Sequence, residues 1–158
     1  MEFRSQSVEE TAKIASEFGA TLEVGGEEAT VVGLYGELGA GKTTFMKYLA
    51  ESFGITETVQ SPTFVIMKVY KLKSASEKAQ DNTFKLFNFQ TLFHIDAYRI
   101  EKEEEMLSLG WQEIVADPKN LICVEWPERI IGIMPLRHTK INFAHAEDES
   151  VRKIEIIK

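Results

Sequence analysis

The stretch Gly36-Glu37-Leu38-Gly39-Ala40-Gly41-Lys42-Thr43-Thr44, GELGAGKTT, follows directly on the apolar run ATVVGLY, Ala29 to Tyr35. It fits G-x-x-x-x-G-K-[ST], a phosphate-gripping loop. The run before it reads as a buried strand. After it, Phe45, Leu49 and Phe53 fall on one side of a helix from about Lys42 to Phe53, and Gly54 suits its C-terminal stop. A strand before and a helix after is the context that this loop needs. Gly36, Gly39 and Gly41 admit backbone angles closed to other residues and let the main chain approach phosphate. Successive amides then form an anion nest, to which the helix N-terminus adds its partial positive charge. Lys42 is placed to reach the β- and γ-phosphates of a nucleotide, and the Thr43 hydroxyl to ligate magnesium.

The bulk properties frame this reading. A chain of 158 residues, 44 % hydrophobic, predicts one domain spanning 1–158 with a substantial core. No window reaches the apolar length of a membrane span, and MEFRSQSVEE carries no long apolar segment of a secretory signal. The single cysteine, Cys123, lies inside LICVEW and reads as a small core residue, so the cytoplasm is the expected compartment. A net charge of −7 argues against a broad electrostatic grip on nucleic acid, but not against nucleic acid reached through a partner.

Along the rest of the chain, Ser7 and Glu10 form a candidate capping box, each reaching the other's amide. The helix that follows has an apolar face of Ala12, Ile14, Ala15 and Phe18. Phe64 to Leu72 reads as a strand and Lys73 to Asn82 as a polar surface loop. The aromatic-rich FKLFNFQTLFHIDAYR predicts one or two strands ending near Asp96. EKEEEMLSLGWQEIV predicts one or two short helices with Met106, Leu107 and Leu109 facing inward. Asn120 to Val124 predicts a strand ending at Glu125, and KINFAHA and VRKIEII a terminal hairpin. Strands alternating with helices imply an α/β fold, a sheet with helices on both faces.

Magnesium takes oxygen ligands, usually one or two carboxylates with waters and phosphates. Glu125 follows four apolar residues, as the acidic tip of a buried strand should, and Asp96 follows LFHI. Ligands gather at the carboxyl ends of strands in open α/β sheets, so both are candidates; a surface carboxylate is the plainer alternative for each. In SPTF, Pro62 stiffens a turn presenting Ser61 and Thr63. His94, Asp96 and Tyr98 share one face at strand period, but one His and one Asp do not make a metal site. Trp126 is either a core edge or a wall near the nucleotide. In LSLGWQE, Leu109 takes the place of a small residue of a transporter-type signature and Trp111 intrudes, and no Asn-Lys-x-Asp motif selects guanine.

Taken in order, GELGAGKTTF, SPTF, HIDAYR, EMLSLGWQEI and VEWPE resemble the TsaE (YjeE) family over about Val8 to Glu128. The resemblance implies a P-loop NTPase three-layer sandwich with a largely parallel central sheet, here followed by the hairpin. It implies an ATPase of low intrinsic activity that binds ATP with Mg2+ and acts with TsaD and TsaB in making threonylcarbamoyladenosine beside the tRNA anticodon. Hydrolysis would reset that complex between rounds, with tRNA met only through the complex. By position, Gly39, Ala40, Gly41, Lys42, Thr43 and Thr44 match the nucleotide loop, and Thr43 and Glu125 the metal positions. Asp96 matches an essential carboxylate and Thr63 a switch-like loop, while the segment near Val8 and Glu9 would lie against the adenine. Lys71 to Leu92 is longer than the family pattern. Arg99 would stabilise charge in cis, or a partner would supply the arginine, which is the favoured expectation. Two other readings share the loop. A small-molecule kinase would want an Arg-rich lid, yet after Lys42 the arginines are only Arg99, Arg129, Arg137 and Arg152. A nucleotide-dependent binding switch would use hydrolysis incidentally.

Overall fold

The computed structural model describes residues 1–24, 26–60, 62, 64–72, 88–148 and 150–158. Seven strands form one sheet: β1 (Glu2–Ser5), β2 (Thr30–Tyr35), β3 (Met67–Lys71), β4 (Thr91–Asp96), β5 (Asn120–Glu125), β6 (Thr139–His145) and β7 (Arg152–Ile157). Their spatial order is β1-β7-β6-β2-β5-β4-β3. The central four, β6, β2, β5 and β4, run parallel, and the flanking pairs are antiparallel. The sheet is therefore mixed α/β, parallel at its centre, with the terminal hairpin as β6 and β7.

The central strands are covered on both faces, which is why β5 reads as an unbroken buried run, Asn120-Leu121-Ile122-Cys123-Val124-Glu125. Helices α1 (Val8–Gly19) and α2 (Lys42–Ser52) cover one face, where Ile14, Phe18, Phe45 and Leu49 pack on Leu34, Leu121 and Cys123. Helices α3 (Glu103–Ser108) and α4 (Trp111–Ala116), with a 3-10 turn at Pro127–Ile130, cover the other through Met106, Trp111 and Ile130 against Ile95, Ile122 and Val124. Each fully buried Phe or Leu contributes about 1.5–3 kcal/mol of transfer free energy, so the stripe Phe45–Leu49 anchors α2, and with it the loop.

Several local expectations need correction. Ser7 does accept from the Glu10 amide (3.2 Å), but Glu10 reaches the amide of Gln6 (2.7 Å) rather than that of Ser7. The strand expected from Phe64 begins only at Met67. Phe64 to Ile66 instead form a turn closed by Ile66 N–H to Pro62 O (2.6 Å), with Ile66 at φ 64°. Met106 is fully buried, but Leu107 and Leu109 are exposed. Gly110, at φ 85°, ends α3 there and starts α4 in a new direction, so one helical face does not continue through both. Tyr98 lies beyond the end of β4, so it does not share the alternation of His94 and Asp96. β1 had no counterpart among the expected elements: it is an edge strand of four residues, held by β7 and by reciprocal bonds between Met1 and Ile156. Thr63 and Ser61, and positions 73–87 of the longer segment, lie outside the described residues.

Candidate functional site

β2 delivers the glycine loop to the carboxyl edge of the parallel strands. Gly36, Gly39 and Gly41 all have positive φ, 137°, 77° and 105°. For Gly36 the requirement is steric as well: a Cβ would stand 2.3 Å from the Phe143 carbonyl oxygen on β6. At Gly39 and Gly41 a Cβ would meet nothing within 4 Å. Both glycines line the space around the loop, so that space would be narrowed by any side chain there. Gly41 is the N-cap of α2, so the helix begins at Lys42 with its amides turned toward the loop.

Lys42 is almost fully buried. Its Nζ donates to Gly36 O and to Glu37 O (2.8 Å) and lies 3.9 Å from the Trp126 ring centroid. Burial holds its ammonium below the ordinary lysine value, opposed by the charges of Glu125, Glu128, Asp96 and Glu37. Trp126 itself sits in the left-handed region at φ 60°, which costs an ordinary residue on the order of 1–3 kcal/mol. The fold thus holds an indole in a strained backbone position over the loop lysine, with Tyr98 against it at 5.1 Å between ring centroids.

Asp96 and Glu125 end β4 and β5 as register partners on neighbouring parallel strands. Both are buried. A buried carboxylate needs hydrogen bonds to offset its lost hydration. Asp96 Oδ1 accepts from the Tyr98 amide (2.9 Å). Glu125 accepts from the Thr43 hydroxyl (2.8 Å to Oε2, 3.1 Å to Oε1) and from His94 Nε2 (2.8 Å to Oε1). Burial, then the Glu125 charge, pushes the Cys123 thiol up, which keeps it an inert core residue.

Two cavities meet at the loop. One, about 260 Å³, lies between Gly39–Gly41, Ser7, Val8 and Phe143. The other, about 320 Å³, is lined by Lys42, Thr43, Asp96, Tyr98, Glu125 and Trp126. Gly39, Gly41 and Thr44 belong to both. The two cavities thus differ in character: the first has Val8, Phe143 and Ile154 among its walls, the second the loop lysine and both strand-end carboxylates. The donor set also suits magnesium. The Thr43 hydrogen is directed to Glu125, which leaves the hydroxyl lone pairs for a cation, and one carboxylate is what that ion commonly takes from protein. Among the described residues no group of three or more His, Cys, Asp or Glu is gathered to hold a metal, so this hydroxyl–carboxylate pair is the candidate seat.

Of the candidate residues, the structure brings Lys42, Thr43, Asp96, Glu125 and Trp126 around one cavity and sets Val8, Ala40 and Thr44 around the other. Arg99 lines neither; its guanidinium lies 4.6 Å from the Phe64 ring centroid. Sequence reasoning missed Phe143, Arg152 and Ile154 of the terminal hairpin, which wall the first cavity. It also missed the bond from His94 to Glu125, although the H-x-D spacing already put His94 on the face of Asp96.

Known proteins resemble this chain over most of its length. The family described as threonylcarbamoyl adenosine biosynthesis protein TsaE matches residues 5–154. The chain is 35 % identical over 131 residues to the tRNA threonylcarbamoyladenosine biosynthesis protein TsaE of Treponema pallidum, covering 83 % of this chain and 82 % of that one. It is 36 % identical over 149 residues to the protein of the same name from Bacillus subtilis, covering 94 % and 80 %. The crystal structure of YdiB from Bacillus subtilis superposes with a TM-score of 0.70 at 32 % identity, over 98 % of this chain and 82 % of that one. A match over residues 5–154, which takes in the loop and both strand-end carboxylates, establishes that the chain belongs to the TsaE family of tRNA threonylcarbamoyladenosine biosynthesis proteins.

Proposed function

We propose that this chain is a magnesium-dependent ATPase that serves threonylcarbamoyl modification of tRNA together with TsaD and TsaB. The observation that carries the proposal is the convergence on one loop of two cavities, the second holding Lys42, Thr43, Asp96 and Glu125. The nucleoside lies in the cavity of Val8 and Phe143, and the phosphates cross Gly39–Thr44 into the other. Lys42 donates to phosphate oxygens, and the loop amides and the start of α2 take the remaining negative charge. Thr43 and Glu125 would hold magnesium, which would supply charge neutralisation to the phosphate groups. Asp96 orients the attacking water: it stands beside Glu125 at the strand ends with Oδ1 fixed by the Tyr98 amide. Trp126 and Tyr98 wall the reacting end against bulk water.

Arg99 lines neither cavity and its guanidinium lies 4.6 Å from the Phe64 ring centroid, which supports an activating arginine supplied by a partner and a slow isolated enzyme. Hydrolysis resets the complex rather than driving group transfer, and tRNA is met through the partners, in keeping with the acidic net charge of −7. The cytoplasm is the compartment this role requires. Among the described residues no helix is long and apolar enough to cross a membrane.

The test is calorimetric titration of the chain with Mg–ATP, followed by phosphate release with and without TsaD and TsaB. Binding that depends on Lys42 and hydrolysis that rises in the complex are expected. Absence of heat with Mg–ATP, or full-speed hydrolysis by the chain alone, would overturn the ATPase or the partner-activation part respectively.

A further inference from the structure

His94 has no place in the mechanism above, yet it is completely buried on the α2 face of the sheet. Register pairs it with Cys123, so its ring reaches forward along β5 to meet the Glu125 side chain instead. Nε2 lies 2.8 Å from Glu125 Oε1. A carboxylate only accepts, so Nε2 carries the hydrogen. Nδ1 is equally buried and has no hydrogen-bond partner among the described residues. A polar atom left unpaired in a core normally costs stability, and a leucine or methionine would avoid that cost. What the imidazole adds is one directed bond to one oxygen of Glu125.

That bond leaves the carboxylate with little freedom. His94 holds Oε1 from the β4 side, and the Thr43 hydroxyl bridges to both oxygens from α2. Rotation of the carboxyl group would break the His94 contact first, because Oε1 alone makes it. Three elements, β4, β5 and the first turn of α2, are thereby tied at one carboxylate.

We propose that His94 is a positioning residue: it fixes the orientation of Glu125 so that the Thr43–Glu125 pair forms a preset magnesium seat. This rests on the reading of that pair as the metal-holding residues. Outer partners of this kind typically contribute 10–100-fold in metal affinity. The role belongs to a hydrogen-bond donor at the Nε2 position, which a glutamine amide reproduces and a methionine of similar volume does not.

The experiment compares the full chain as wild type, His94→Met and His94→Gln. Mn2+ affinity is read by electron paramagnetic resonance with ADP present, ADP affinity is measured in EDTA, and melting is followed in EDTA. His94→Met should weaken Mn2+ about 10–100-fold while its metal-free ADP affinity stays within about 2-fold of wild type. His94→Gln should stay within about 3-fold of wild type for Mn2+. Equal Mn2+ affinity in all three proteins, or equal loss in Met and Gln variants, overturns the proposal. So does a parallel loss of metal-free ADP affinity, the mark of general damage to the site. A second readout needs no variant. The wild-type chain has three histidines, and 15N-correlated spectra report which ring nitrogen carries hydrogen; the Nδ1–H tautomer at His94 would overturn the proposal even if the Met variant failed to fold. Should wild type bind ADP but no Mn2+ under any condition, the metal assignment of Thr43 and Glu125 falls and the inference with it. Wild-type Mn2+ binding with unaffected variants sinks the inference alone.

Discussion

Adding one methyl group at two positions of the same loop should have different main consequences, lost stability at one and lost binding at the other. At Gly36 the new Cβ would lie 2.3 Å from the carbonyl oxygen of Phe143 and 3.1 Å from its carbonyl carbon. Ordinary contact begins at 3.4 Å, so backbone must move by about an ångström, and Phe143 lies within β6 while Gly36 follows directly on its neighbour β2. Overpacking of this kind costs roughly 1–3 kcal/mol, and φ of 137° in a residue with a side chain adds on the order of 1–3 kcal/mol. For a chain of this length 1 kcal/mol corresponds to about 3 °C of melting temperature. Gly36→Ala should therefore melt about 6–18 °C below wild type. At Gly39 the Cβ meets nothing, leaving only the left-handed φ of 77°, worth about 1–2 kcal/mol or roughly 3–6 °C. The Gly39 methyl instead enters the space shared by the two cavities, so Mg–ATP affinity should fall by at least about 10-fold, or 1.4 kcal/mol. Differential scanning fluorimetry and calorimetric titration on the same preparations read both numbers. Gly36→Ala melting within about 3 °C of wild type would refute the contact with β6, and Gly39→Ala binding Mg–ATP normally would refute the placement of phosphate on the loop.

Other substitutions probe different parts of the same account. Lys42→Met should abolish Mg–ATP binding in calorimetry without lowering the melting temperature, because it removes a buried ammonium. Since burial lowers the Lys42 pKa from 10.5, the unfolded chain binds more protons than the folded one on the acid side of that value. Wild-type stability relative to Lys42→Met should then rise with pH through the alkaline range, read by urea denaturation at several pH values; a fall would reverse the assigned cause. The chain has two tryptophans, and only Trp126 lines the second cavity. Mg–ATP should change the emission of Trp111→Phe and leave that of Trp126→Phe unaltered. On the far face, Met106→Ala should cost about 2–5 kcal/mol in urea unfolding, whereas alanine at exposed Leu107 or Leu109 should cost about 0.5 kcal/mol.

What the sequence made legible follows from how local each signal is. The loop, its flanking strand and helix, and Glu125 lie in contiguous runs whose apolar pattern and glycine spacing are self-contained. Periodicity failed at Leu107 and Leu109 because Gly110 redirects the chain between two six-residue helices, too short for a face to declare itself. It failed at Phe64 to Ile66 because β-branched and aromatic residues, ordinarily strand formers, are held in a turn with Ile66 at positive φ. β1 escaped notice since its pairing with β7 joins positions about 150 apart, Glu2 with Glu155. The same distance hid the contribution of the hairpin to the first cavity. His94 was visible as a residue on the right face, but its partner is chosen by inter-strand register, which composition and spacing do not contain.

The short edge strand carries one further consequence. Its last residue, Ser5, reaches the cavity that also contains the glycine loop, and the loop hangs from β2 at the middle of the sheet. A four-residue border strand is ordinarily among the first parts of a fold to fray, while the central strands open only with the whole molecule. Any guest seated between them acts as a rivet from margin to midline. Occupancy would then lend the periphery some of the permanence of the interior, and the loosening of that margin would set how quickly the guest departs.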